Sequence, residues 1–102
     1  MKLLKNEYKF IKFTRSSKKD KKYTAILQNK KTGKQRKIHF GGIKKDGTPY
    51  EQYKDTTGLG LYSKYNHNDK KRRDRYRDRH SKEVASFKDY WSAGLFSYKY
   101  LW

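Results

Sequence analysis

The sequence predicts a small single α+β domain: an N-terminal β-hairpin, then a basic helix and a short aromatic C-terminal helix, preceded by a basic arm. Three observations lead there. Residues 22–29 and 35–42 alternate side-chain character on either side of a glycine turn. Residues 69–80 form a run without glycine or proline behind a capping signal. The last residues place Leu95, Tyr98, Leu101 and Trp102 near one helical face behind Ser92.

Residues 1–22 read as the basic arm, with nine Lys and Arg against Glu7 and Asp20. "MKLLKNEYKFIKF" lacks the uninterrupted apolar core of a secretory signal, because Lys5, Glu7, Lys9 and Lys12 break it. "RSSKKDKK" (15–22) reads as a flexible linker. The folded domain is expected over residues 23–102.

In the hairpin, Tyr23, Ala25 and Leu27 alternate with Thr24, Ile26 and Gln28. "KTGK" turns the chain at Gly33, and Ile38 and Phe40 return on one face with Lys37 and His39 on the other. The connection from Ile43 to Tyr65 carries turn signals at Asp46-Gly47 and Pro49. Tyr50, Tyr53, Leu59, Leu61, Tyr62 and Tyr65 are its expected packing residues. Tyr50–Tyr53 fits a further strand and helical turns equally well.

The basic helix is expected to start with Asn68 as N-cap and Asp69 at the positive end of the dipole, and to run to about His80. Helical spacing sorts it into stripes. Arg72, Tyr76 and His80 share one stripe, of which Tyr76 and His80 are expected to face the domain. Lys71, Arg75 and Arg79 form a stripe without an acid, flanked by Arg73 and Arg77. Asp74 is expected to pair with Lys70 or Arg77, and Asp78 with Arg75. Residues 83–91 read as a connector and 93–102 as the last helix.

Composition bounds the function. There are 28 Lys and Arg against 10 Asp and Glu, a formal charge of +18. Such a surface favours an anionic partner. Ile, Leu, Val and Phe supply only 17 of the 102 residues, while ten Tyr and two Trp offer an aromatic core. The chain contains no cysteine and so holds no disulfide or thiolate metal site. No apolar run has the length of a membrane span.

The run "YEQYKDTTGLGLYSKYNHNDKKRRDRYRDRH" followed by "SAGLFSYKYLW" resembles a family of small basic proteins encoded by large double-stranded DNA viruses of algae and protists. The shared pattern is Tyr-x-x-Tyr-x-Asp at Tyr50, Tyr53 and Asp55, then Leu-Tyr-Ser at Leu61, Tyr62 and Ser63. His67, Asp69, Arg72, Arg73, Tyr76, Arg79 and His80 carry its charged segment, and Leu101 and Trp102 its end. The resemblance covers about residues 23–102. It implies a viral origin, with residence in the virion and in the host cytoplasm or nucleus during infection. It implies no activity.

Enzymatic chemistry is not expected. His39, His67 and His80 lack close ligand spacing, which leaves no expected metal or cofactor. "GGIKKDG" is not a phosphate-binding loop. The expected function is non-sequence-specific nucleic-acid binding or genome packaging, with duplex DNA as the first partner. Its contacts are expected at Lys71, Arg72, Arg73, Arg75, Arg77 and Arg79, and on the arm at Lys18, Lys19, Lys21 and Lys22. Tyr76, His80 and Trp102 are expected to be structural. The alternative is a minor capsid or cement protein that meets other virion proteins through Tyr98, Tyr100 and Trp102. Self-association is a further expected contact.

Overall fold

The computed structural model describes residues 2–102. Its centre is a three-stranded antiparallel sheet, β2-β3-β4. A two-residue strand β1 (Leu3–Leu4) precedes β2 (Tyr8–Arg15), β3 (Lys21–Asn29) and β4 (Gln35–Gly42). Helix α1 (Lys70–Arg79), the short turn of helix α2 (Ser81–Val84), strand β5 (Tyr90–Trp91) and helix α3 (Ala93–Tyr100) follow. The mixed α+β class, the β3–β4 hairpin and the short C-terminal helix agree with the sequence reading.

The segment read as an arm supplies a strand of the sheet. A β-bulge explains why alternation conceals it. Phe10 pairs with Leu27 and Lys12 with Ile26, which leaves Ile11 as the extra residue. Tyr8, Phe10 and Phe13 thus reach the core face although their spacing is two and then three. Residues 15–22, read as a linker, end β2, turn over 16–20 and begin β3, and the Ser16 amide donates to the Lys22 carbonyl at 3.2 Å. Upstream, Leu3 pairs with Trp91 and Leu4 with Tyr90, so β1 and β5 tie the start of the chain to the entry of α3.

The core is aromatic, as a chain poor in aliphatic residues requires. Phe96 of α3 is fully buried. Its ring lies 5.5 Å from Phe40, 5.8 Å from Phe13 and 5.6 Å from Trp91, the last nearly parallel. Tyr23, Ala25 and Leu27 line the centre of this face, and Leu95 and Leu101 close it. The Ser92 side chain caps α3 by accepting from the Leu95 amide at 3.1 Å. Tyr98, Tyr100 and Trp102, which the capsid alternative reads as interface anchors, are partly buried against this core. Gly41, at φ +79°, lets β4 pass close to Lys22 and Leu101; a Cβ there would sit 3.0 Å from the Lys22 side chain.

Among the described residues, the helix packed on the sheet is α3, and it lies on the core face. Strand register places Lys9, Lys12 and Thr14 of β2, Thr24, Ile26 and Gln28 of β3, and Gln35, Lys37 and His39 of β4 on the opposite face.

The long connection is held by a buried polar network. Gln52 is fully buried. Its amide donates to the Tyr62 carbonyl and to Asn66 Oδ1, both at 2.9 Å. Its oxygen accepts from Lys22 Nζ at 2.6 Å. The Tyr23 hydroxyl donates to Asp55 and accepts from the Leu61 amide at 3.0 Å. This packing differs from the expected one. Tyr50, Leu59 and Leu61 are exposed, while Tyr53, Tyr62 and Tyr65 are partly buried. The backbone over 50–53 is neither strand nor helix; it makes one parallel bridge, Gln52 to Asn66.

Candidate nucleic-acid interface

Helix α1 forms because Arg and Lys are good helix residues and because its start is capped. The cap is Asp69, one residue later than expected. Its carboxylate accepts from the Lys71 amide at 3.0 Å and the Arg72 amide at 3.3 Å. The Arg72 amide bond is the main cause of a carboxyl pKa below the usual range. Asn68 takes a left-handed φ of 53° just before it, a conformation asparagine tolerates. Arg77 and Arg79 in the last turn suit the negative end of the dipole.

The helix has two faces of different chemistry. Arg73 and Arg77 turn inward. The Arg73 guanidinium lies 4.8 Å over the Tyr53 ring, and that of Arg77 lies 5.0 Å over Tyr98. Arg77 Nη2 also donates to the Trp102 backbone oxygen at 3.0 Å. Tyr76 and His80 complete this inward face. Tyr76 stacks on Trp102, and the His80 ring lies 4.3 Å from Tyr76. Burial is the first cause that pushes the Tyr76 hydroxyl up to about 12.

Lys71, Arg75 and Arg79 point outward and are exposed. The ion pairs among the described residues are Arg72–Glu51 at 3.4 Å, Arg73–Asp74 at 3.5 Å and His80–Glu83 at 3.0 Å. The expected partners for the two helix aspartates are therefore not the observed ones: Asp74 meets its neighbour Arg73, and Arg75 is not paired with Asp78.

Two adjoining clefts open beside this stripe. One, of about 470 Å³, runs between the end of β4 and α1; Arg72, Arg79, Lys44, Tyr50 and Trp102 are among its walls, and Glu51 is an acid within it. The second, of about 270 Å³, is lined by Arg72, Arg75, Arg79 and Trp102. Guanidinium groups beside an indole suit an anionic group attached to a planar one.

The four lysines expected on the arm separate. Lys18 and Lys19 are exposed on the β2–β3 turn, and Lys21 is partly buried. Lys22 is 2% exposed. Its ammonium donates to the Tyr50 carbonyl at 2.5 Å and to Gln52. Burial pushes it down to about 8, against the opposing pull of Asp55. Lys22 thus lies against the larger cleft with its ammonium already committed to that network.

Spacing did not single out Lys44 or the meeting of Arg72 and Arg79 with Trp102. The C-terminal aromatic run was the one hint, since a tyrosine in a basic helix needs a planar partner. Among the described residues no group of three or more His, Asp or Glu side chains is placed to hold a metal ion. No helix there is long and apolar enough to cross a membrane.

Family models, curated proteins and solved structures offer no match to this chain.

Proposed function

We propose that this protein binds nucleic acid, duplex DNA foremost, through phosphate contacts at α1 that do not read sequence, and that it acts in packaging a viral genome. The observation that carries the reading is the outward stripe Lys71, Arg75 and Arg79, whose cations have no carboxylate partner among the described residues, whereas Arg72 and Arg73 do. Arg75 and Arg79 share a cleft with Arg72 and Trp102, so one backbone phosphate can meet more than one guanidinium. Lys18 and Lys19 are available to extend the contact. The viral setting rests on the resemblance of residues 50–80 and 92–102. A shell role finds less support, because Tyr98, Tyr100 and Trp102 are engaged in internal packing.

The test is affinity for duplex DNA, single-stranded DNA and RNA as a function of salt. Three phosphate contacts at α1 contribute about −3 to the slope of log K against log salt. Arg75→Glu with Arg79→Glu should flatten the slope by about 2 and weaken binding at least about tenfold. A duplex affinity indifferent to salt rules the reading out.

A further inference from the structure

The sheet face turned away from α3 has exposed side chains at Lys9, Lys12, Gln35 and Lys37 around a buried middle strand, and its chemistry differs from that of α1. None of the residues that strand register places on it is acidic. Its rows run edge to edge as Lys9–Gln28–Gln35 and Lys12–Ile26–Lys37. In the second row cations stand on both outer strands around a neutral middle, and in the first row Lys9 on β2 is the cation. Ile26, outside the core cluster, is nevertheless 8% exposed, with Lys12 and Lys37 as its cross-strand neighbours. Their aliphatic stems are suited to cover it while the ammonium groups reach outward. Lys9, Lys12 and Lys37 make no ion pair among the described residues. At the far end Thr24 and Ser16 hold His39 Nδ1 at 2.7 and 2.8 Å, which fixes that corner of the face.

The dimensions fit one kind of partner. Adjacent strands lie about 4.8 Å apart, so β2 and β4 are about 10 Å apart across β3. The major groove of B-form DNA is about 12 Å wide and is bounded by phosphates on both sides. We propose that this sheet face enters the major groove of B-form DNA, with Lys12 and Lys37 on the phosphates of opposite walls and Gln28 and Gln35 at base edges. It is a second contact surface, distinct from the α1 stripe, and the one that confers sequence preference. Glutamine amides can pair with the N6 and N7 edge of adenine there. The inference rests on the nucleic-acid reading above. It departs from that reading in predicting discrimination between B-form DNA and A-form RNA, whose major groove is too deep and narrow to admit a sheet.

The experiment uses the full chain, a labelled 20-base-pair DNA duplex, the RNA duplex of the same sequence, and two variants. Lys12→Gln with Lys37→Gln should weaken DNA binding about tenfold and leave RNA-duplex binding within about twofold. Methyl green, which occupies the major groove, should displace the protein; distamycin, in the minor groove, should not. Equal losses on DNA and RNA, no loss on either, or indifference to methyl green overturns the inference. A merely solvated sheet face gives the no-loss result. If thermal melts show the lysine variant to be unfolded, Gln28→Ala with Gln35→Ala decides instead: selection from randomised duplexes should enrich a motif with the wild type and lose it with that variant. No enriched motif with the wild type also overturns it. Arg75→Glu with Arg79→Glu run in parallel separates the two surfaces. If only that pair weakens DNA binding, the sheet inference fails and the α1 reading stands; if the wild type does not bind duplex DNA, both fail.

Discussion

Trp102 lies flat on Tyr76, with ring centroids 4.3 Å apart and an angle of 4° between the rings. This stack fastens α1 to the C-terminal segment. The helix has no aliphatic stripe to bury, so an aromatic stack takes that place. Tyr76→Ala should therefore lower stability by about 2–3 kcal/mol, from lost burial and lost stacking. Urea denaturation at neutral pH measures it. A midpoint equal to that of the wild type would separate the stack from stability.

Arg73 and Arg77 belong to the same inward face, and their loss should read as a folding defect. Each guanidinium over a tyrosine contributes about 1 kcal/mol at such partly buried sites. Arg73→Ala and Arg77→Ala should each lower the denaturation midpoint while leaving the salt slope of DNA binding within about 0.5 of the wild type. Arg75→Ala should do the reverse. Swapped outcomes would mean that the two faces of α1 are wrongly assigned.

Deleting residues 1–22 tests the position of β2. The deletion removes an edge strand, the Phe10 and Phe13 rings against Phe96, and the β1–β5 tie. Residues 23–102 alone should be unfolded, with no cooperative melt and dispersed amide signals lost. A folded remainder would make the N-terminal segment a dispensable arm after all.

What the sequence made legible is what local spacing encodes. β3 and β4 alternate across a glycine turn, α1 has a cap and no breaker, and Ser92 precedes an apolar period; each signal lies within one element. β2 escaped because the bulge at Ile11 shifts its core residues out of period two. The loop escaped for another reason. Lys22 and Gln52 are 30 residues apart, and a hydrogen bond over that distance leaves no mark on spacing. For the same reason Lys22 looked like its neighbours Lys18 and Lys19. Exposure of the α1 stripe was readable from helical geometry, whereas the inward lean of Arg73 and Arg77 depends on where Tyr53 and Tyr98 come to lie.

Lys22 should accordingly behave as a structural residue. Lys22→Met leaves Gln52 Oε1 and the Tyr50 carbonyl without their donor. An unpaired buried acceptor costs about 1–3 kcal/mol, so a loss of about 2 kcal/mol is expected. Hydrogen exchange should rise first at the amides of Gln52 and His67, which bond across the connection. Unchanged exchange there, with reduced DNA affinity, would return Lys22 to the binding surface.

Acid should weaken the fold before its carboxylates titrate. His39 has its pKa lowered by burial first, then by Lys18 and Lys37, against Asp20. His67 has its pKa lowered by burial and then by Arg72, against Asp69 and Glu51. In both the folded pKa lies below the unfolded value of about 6.5. Between those values the unfolded chain binds more protons, so stability is complete above about 6.5 and falls as pH drops toward the folded pKa. The geometry agrees, because His67 Nδ1 accepts from the Asp69 amide at 2.9 Å and cannot do so once protonated. Asp46 and Asp69, both lowered from the ordinary carboxylate range chiefly by backbone hydrogen bonds, lose their contributions only below about 4. The melting temperature should therefore fall between pH 7.5 and 5.5. His39→Gln with His67→Gln should flatten that fall, and a slope identical to that of the wild type would assign it to other groups.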